Sequence, residues 1–395
     1  MNTVIVGAGY AGLLCAFRLA RLTARPSDIT VVDRSERFTQ RIRLHEFLAG
    51  AEEPTVELAR WLSAHKINFI RGSVDRWDPD QKQLFVDRAP LAYECLVLAL
   101  GSRTDESLPG AREHGATFER CRELRAKIPE IAARNGRALV VGAGLTALEA
   151  AAELKESHPT LGVSLVYDRE FAPFLSPRAR AHARAVLERL GVELVTATRV
   201  EAITARGART STGELSADAV LLCTGFVGPE ALSLFSARGL ALDAKGFARV
   251  DARLRSVSHP DVMVIGDSAS VLGAEAIHKS CKSAMPMGAY AADAIVAQAR
   301  GRAIEPFSLR DGGVLVSLGR REAVVQGYRA DGSIEGPVIT GRLGVFFKEM
   351  IARYTVFSLR AESHNWLAYR WLRGKERPAL AAPATARGEP RELAR

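Results

Sequence analysis

No run of about 18 consecutive apolar residues occurs anywhere in the 395-residue chain, so nothing in it reads as a membrane-spanning helix. The five cysteines, Cys15, Cys95, Cys121, Cys223 and Cys281, stand far apart, with no CxxC pair, zinc-type spacing or disulfide framework. That excludes a stapled secreted scaffold and a cysteine metal centre, and suits a reducing cytoplasm. The apolar N-terminus lacks the basic n-region of a secretory signal. A net charge of +9 and a pI near 9.5 favour anionic partners. The Arg residues are scattered, however, and no basic stripe interleaved with aromatics appears, which excludes nucleic acid as the partner. With 47% hydrophobic and 25% charged residues the chain is an ordinary soluble protein, long enough for two or three domains.

What the chain does have begins at its third residue. The β-branched run Thr3-Val4-Ile5-Val6 leads straight into Gly7-Ala8-Gly9-Tyr10-Ala11-Gly12, a Gly-x-Gly-x-x-Gly sequence, and Leu13 to Leu22 behind it reads as a helix. This is the strand–turn–helix context that a dinucleotide fingerprint needs. Gly7 permits the tight turn, Gly9 lets the backbone approach a pyrophosphate, and Gly12 allows close helix–strand packing. The first amides of the helix then face the phosphates, where the helix dipole favours negative charge. Asp33 closes the next β-branched run, 21 residues beyond Gly12, the spacing of an acid that holds a ribose hydroxyl.

The same pattern returns further along. Ala138-Leu139-Val140-Val141 leads into Gly142-Ala143-Gly144-Leu145-Thr146-Ala147, and Asp168 follows the strand 163–167, again 21 residues after the third small residue. Two apolar strands end in small-residue turns, at Leu100-Gly101-Ser102 and Cys223-Thr224-Gly225, and a third ends in Gly266-Asp267. The pattern predicts two Rossmann-like units in an α/β chain, the second inserted within the first, each binding in the crevice beyond its strands. Shorter segments read as a helix over 58–65, a strand over 67–71, a meander from Val74 through Val86, a helix over 283–298, and glycine-punctuated strands over 312–327. Residues 346–371 read as one amphipathic helix, and the Ala/Pro/Arg-rich end as disordered.

The segments Gly7–Gly12 with Asp33, Gly142–Glu149, Leu222–Phe226 and Ile265–Asp267 together resemble the flavoproteins with two dinucleotide-binding domains. Within that group, Gly142–Leu154 is similar to the GxGxTGxExAxEL segment of the type II NADH:quinone oxidoreductases, and Ser317–Val324 to their SxGxxxAV segment. No CxxxxC or CxxC stands where a redox disulfide would meet a flavin. The resemblance implies resident FAD, visiting NAD(P)H, and a small electron acceptor such as a quinone. It implies an FAD-binding domain in two parts, 1–110 and 231–305, an NAD(P)-binding domain over 111–230, an α+β C-terminal region over 306–378 and a disordered tail over 379–395. The cofactor-binding set it implies is Gly7, Gly9, Tyr10, Ala11, Gly12, Asp33, Arg34, Arg41, Val74, Ala99, Gly101, Gly142, Gly144, Leu145, Thr146, Asp168, Gly225, Phe226, Gly266, Asp267, Met285 and Pro286, with no metal.

Three side chains are expected to carry chemistry. Glu149, one turn into the second helix, is placed by the resemblance between flavin and nicotinamide; a first-turn acid complementing the helix dipole is the alternative. His45 lies in the segment expected beside the flavin and could supply protons to an acceptor, or be a structural histidine. Lys282 at a helix start would bring a cation to the flavin's pyrimidine edge. Asp168 favours NADH, whereas Arg169 beside it would suit the 2′-phosphate of NADPH. Cys281–Gly288 departs from the AxxxQxG acceptor segment of the resembled family, and this leaves two rivals open. One is a flavoenzyme of secondary metabolism acting on an organic substrate, the other a nucleotide-binding redox sensor with slow turnover. The basic amphipathic segment with Trp366 and Trp371 could lie on a membrane surface, cover the core or build a dimer.

Overall fold

The computed structural model describes residues 1–273, 277–329 and 332–374; the tail over 379–395, expected to be disordered, lies outside the described residues. Thr3–Val6 is buried at every position, as a parallel strand covered on both faces must be. It pairs in parallel with Ile29–Asp33 on one side and Cys95–Leu98 on the other. The complete sheet runs Val262–Val264, Cys95–Leu98, Thr3–Val6, Ile29–Asp33, Asn68–Arg71. A second sheet repeats the plan, in the order Val192–Val195, Gly162–Val166, Arg137–Val141, Ala219–Leu222. In each, the strand before the glycine loop sits where the strand order reverses, the switch point at which α/β sheets bind ligands.

Because Val262–Val264 returns to pair with Cys95–Leu98, the second Rossmann-like unit is inserted in the first. The outgoing and returning connections run side by side. Arg103 pairs with Val227 and Thr104 with Phe226 in an antiparallel ribbon. The Asp105 N–H donates to the Gly225 carbonyl at 3.1 Å, and the Thr224 hydroxyl to the Asp105 carbonyl at 2.9 Å.

The C-terminal region adds an antiparallel sheet, Gly313–Ser317, Ala323–Gly327 and Val338–Thr340, followed by the helix Gly341–Ser363. Gly344 draws this helix onto the sheet, since a Cβ there would lie 2.8 Å from the Ala323 carbonyl oxygen. The sequence pattern predicts a helix over 346–371; the structure corrects both ends. Asn365 takes φ +59°, a left-handed turn that stops a helix. Glu362 then folds the chain back, its buried carboxylate accepting from the Tyr369 N–H at 2.5 Å and pairing with Arg21 at 2.7 Å. Residues 364–374 therefore run without helix along the first unit, where the Trp371 indole donates to the Ser308 carbonyl at 3.0 Å.

Candidate functional site

The two glycine loops have the same physical construction. Gly7 (φ +108°) and Gly142 (φ +125°) adopt backbone that favours glycine, and a Cβ would meet the Ala99 carbonyl oxygen at 2.3 Å or the Cys223 carbonyl oxygen at 2.5 Å. Gly12 packs so closely that a Cβ would lie 1.9 Å from the Gly7 carbonyl oxygen. Gly9 and Gly144 are different: each precedes its helix in extended conformation, and a Cβ would meet nothing within 4 Å. No side chain caps either helix start, so the first-turn amides are left for an anion. The space at Gly9 and the uncapped amides fit a pyrophosphate.

Around the first loop the structure gathers several of the sequence-predicted residues. Arg41 donates to the Ser102 carbonyl at 3.1 Å and lies 5.9 Å from the Phe226 ring centroid. The Ser102 hydroxyl donates to Asp267 Oδ2 at 3.1 Å, while Asp267 Oδ1 is buried with no hydrogen-bond partner among the described residues. Burial pushes the Asp267 carboxyl above the usual aspartate range, against the pull of Arg41 and Ser102. A buried, half-satisfied carboxylate fits a hydroxyl-bearing ligand such as the ribityl chain of FAD. Gly101 (φ +72°) and Gly225 (φ +113°) open the backbone on either side, and Gly266 and Gly288 press the third strand's turn and the helix Cys281–Ala299 against Ala11. Tyr10 is buried edge-on against Phe38, and Met285 and Pro286 lie buried in the helix. Val74 starts the meander opposite Val86, and Arg34 is exposed beside Asp33.

Two of the expected ligands already have protein partners. Asp33 spends its carboxylate on the loop itself, accepting from the Ala8 N–H at 2.6 Å and the Ser35 N–H at 2.8 Å. Lys282 is tied by its ammonium to Asp311 and to the Gly313 carbonyl at 2.6 Å. In the second unit, Leu145 and Thr146 are half-buried in the first helical turn, and Asp168 and Arg169 are both exposed beyond their strand.

A polar cluster forms where the second nucleotide helix, Leu145–Ser157, meets the C-terminal region. Glu149 is buried; its Oε1 accepts from Lys348 Nζ at 2.5 Å and from the Ser317 N–H at 3.1 Å. His45 Nδ1 lies 3.6 Å from Glu149 Oε2. One turn on, buried Glu153 lies 3.1 Å from Arg320 Nε and receives the Ser317 hydroxyl at 3.4 Å. Glu46 joins them, held by Arg43 at 2.8 Å and Arg320 at 3.5 Å. Lys348, Ser317, Arg320, Glu153 and Glu46 are partners that sequence reasoning did not assign to the site. The resemblance of Ser317–Val324 is a signal for part of them; nothing in the sequence around Lys348 marks it.

Burial raises the Glu153 carboxyl to about 7 from an ordinary 4.5, despite the Arg320 guanidinium. Between those values the folded protein keeps a proton that the unfolded chain has lost, so Glu153 makes stability fall as pH rises through the window. The fall is ~3 kcal/mol at most. Denaturation series below and above the window should show it in the native protein and not in Glu153→Gln; an unchanged slope in the variant would contradict this assignment.

The sequence profile of the pyridine nucleotide-disulphide oxidoreductases matches residues 1–292. The type II NADH:quinone oxidoreductase of Staphylococcus haemolyticus is 26% identical over 395 residues, spanning 91% of this chain and 96% of that protein. Among solved structures, the sulfide:quinone oxidoreductase of Aquifex aeolicus matches with a TM-score of 0.74 and 18% identity, covering 91% of each chain. NDH2 from Plasmodium falciparum, solved with NADH, matches with a TM-score of 0.73 and 13% identity over 94% of this chain and 99% of that one. At these identities the two structures establish a shared fold.

Proposed function

The chain belongs to the pyridine nucleotide-disulphide oxidoreductase family and is an FAD-dependent NAD(P)H oxidoreductase, and on that premise we propose that it oxidises NADH and delivers the electrons to a quinone at a membrane surface. When bound, FAD accepts the hydride and holds two electrons until the acceptor takes them. The observation that carries the reading is the double use of the helix Gly341–Ser363. Its inner face sends Lys348 to Glu149. Its outer face exposes Leu343, Phe346 (61% exposed), Met350, Tyr354 and Phe357 in one helical stripe, flanked by exposed Arg342, Arg353 and Arg360. A single element thus links the second nucleotide helix to an apolar, basic-edged surface suited to a lipid-soluble acceptor. The five cysteines are free thiols, which supports an acceptor other than a protein disulfide.

In this reading the uncapped amides behind Gly9 and Gly144 hold the two pyrophosphates, and Asp267 and Arg41 orient the flavin side. Asp168 takes the NADH ribose, and Glu149, fixed by Lys348 and Ser317, holds or releases a proton where flavin and nicotinamide meet. No described helix is long and apolar enough to cross a membrane, so contact is through the stripe. Anionic liposome flotation tests this. The double variant Phe346→Glu with Phe357→Glu should float at least ~10-fold less, since each removes an aromatic whose full burial in the bilayer is worth about 1.5–3 kcal/mol, while oxidation of NADH by ferricyanide stays intact. Equal flotation would remove the membrane from the reading, and the quinone would then have to reach the enzyme from solution. Stopped-flow flavin bleaching by NADH against NADPH tests the nucleotide, and bleaching by neither would favour the slow redox sensor.

A further inference from the structure

His45 is buried and presents one ring nitrogen to each of two carboxylates. Nδ1 lies 3.6 Å from Glu149 Oε2, and Nε2 lies 3.9 Å from Glu46 Oε1. Nε2 is buried and has no hydrogen-bond partner among the described residues. The charged groups acting on the ring come from four elements: Glu46 from its own short helix Leu44–Leu48, Glu149 from the helix Leu145–Ser157, Lys348 from the C-terminal helix, and Arg320 from the turn after Gly313–Ser317. Burial holds His45 below its ordinary pKa, with Lys348 and Arg320 opposing the pull of the carboxylates. At neutral pH the ring is therefore neutral, with one nitrogen carrying a proton and the other free to take one.

Such a group has a use in the proposed reaction. NADH, a quinone and one proton give NAD⁺ and quinol; hydride brings two electrons and one proton, and the second proton must come from water. We propose that Glu46 and His45 form the inward route for that proton. Glu46, whose side chain is 14% exposed against 5% for Glu149, receives it from solvent and passes it to Nε2. The ring releases the Nδ1 proton to Glu149, which supplies the site. The net change per turnover is one proton taken from solvent and one delivered to quinol, and the imidazole regains its starting tautomer by exchange with water, losing the Nε2 proton and taking one at Nδ1. The separations of 3.6 and 3.9 Å are closed by small side-chain rotations or one water each, as pre-reaction contacts commonly are. Glu46 acts through His45, so it is a relay and positioning residue.

This inference rests on the quinone reading, and the test separates the two. The FAD-loaded full chain, Glu46→Gln and Glu46→Asp are reduced anaerobically with NADH in a stopped flow. Each is then reoxidised by a short-chain benzoquinone or by ferricyanide, which takes electrons without protons, in H₂O and in D₂O. Quinone reoxidation should fall at least ~10-fold in Glu46→Gln with a larger solvent isotope effect, and Glu46→Asp should recover most of it. Flavin reduction and the ferricyanide rate should stay within about twofold of the native protein. An unchanged quinone rate in Glu46→Gln, or equal loss with both acceptors, overturns the relay. Failure of the native enzyme to use quinone while ferricyanide works overturns the quinone reading itself.

Discussion

Gly9→Val is expected to give a folded protein that purifies without the yellow colour of flavin. Gly9 has φ −77° and ψ −170°, extended backbone open to any residue, and its side-chain direction points into empty space. The fold therefore has no reason to object. In the proposed reading the space is the approach path of a pyrophosphate, and two valine methyls would fill it and hold phosphate oxygens away from the helix amides. Retention of FAD should fall by more than ~10³-fold in affinity, or about 4 kcal/mol, read as the flavin-to-protein absorbance ratio alongside circular dichroism. Gly7→Ala is the control with the opposite cause. Its Cβ would collide with a backbone carbonyl in a left-handed conformation, so it should lose structure along with flavin. A Gly9→Val protein saturated with FAD would show that the flavin lies elsewhere.

Glu149→Gln is expected to lower quinone-dependent turnover by about 10²–10⁴-fold, the range for losing a positioned proton-transfer group. The substitution keeps the shape and an oxygen for the Ser317 N–H, but it removes the charge that offsets Lys348 at 2.5 Å. A carboxamide cannot carry a proton between His45 and the acceptor, and the half-buried ammonium loses its counter-ion. A second change, Lys348→Met, should recover stability by removing the stranded charge while leaving turnover low. Turnover and melting temperature measured on both variants separate the two effects. If Glu149→Gln turned over like the native protein, the carboxylate would be a structural partner of Lys348 alone.

The parts of this molecule that were legible in the sequence are those whose constraint is local. Gly7 is required locally by its positive φ at the turn and Gly12 by its contact with the Gly7 carbonyl, so ten residues suffice to declare them, and the repeat at Gly142 declares the second sheet by the same rule. The Ala99 and Cys223 carbonyls that also exclude a side chain at Gly7 and Gly142 are distant in the chain. The order of both sheets follows from that plan. What escaped depends on distant partners. Lys348 meets a carboxylate 199 residues away in the chain, and nothing near Lys348 distinguishes it from the solvated cations on its helix. Ser317 fixes Glu149 through its backbone N–H, which side-chain identity does not encode. Lys282 stands at a helix start, where a ligand for flavin is expected, and the fold gives its ammonium two partners that no local pattern announces, Asp311 and the Gly313 carbonyl. Asp33 likewise accepts from the Ala8 and Ser35 amides. The end of the last helix was misread because Asn365 and the Glu362 carboxylate act together, and only the folded chain brings Tyr369 to that carboxylate.

The paired strands Arg103–Thr104 and Phe226–Val227 have a consequence for how such a protein can change over time. The inserted unit leaves and re-enters the first sheet through register partners, so its two ends are separated only by the width of a strand pair, ~5 Å. A module whose ends meet in this way can be cut out and replaced with little disturbance of its host, because closing the gap needs no spanning loop. The inserted unit is in that sense a cassette. A graft of another Rossmann-like unit between Thr104 and Phe226 would leave the glycine loop at Gly7–Gly12 and its neighbouring strands untouched and, in the proposed reading, alter only which pyridine nucleotide is bound.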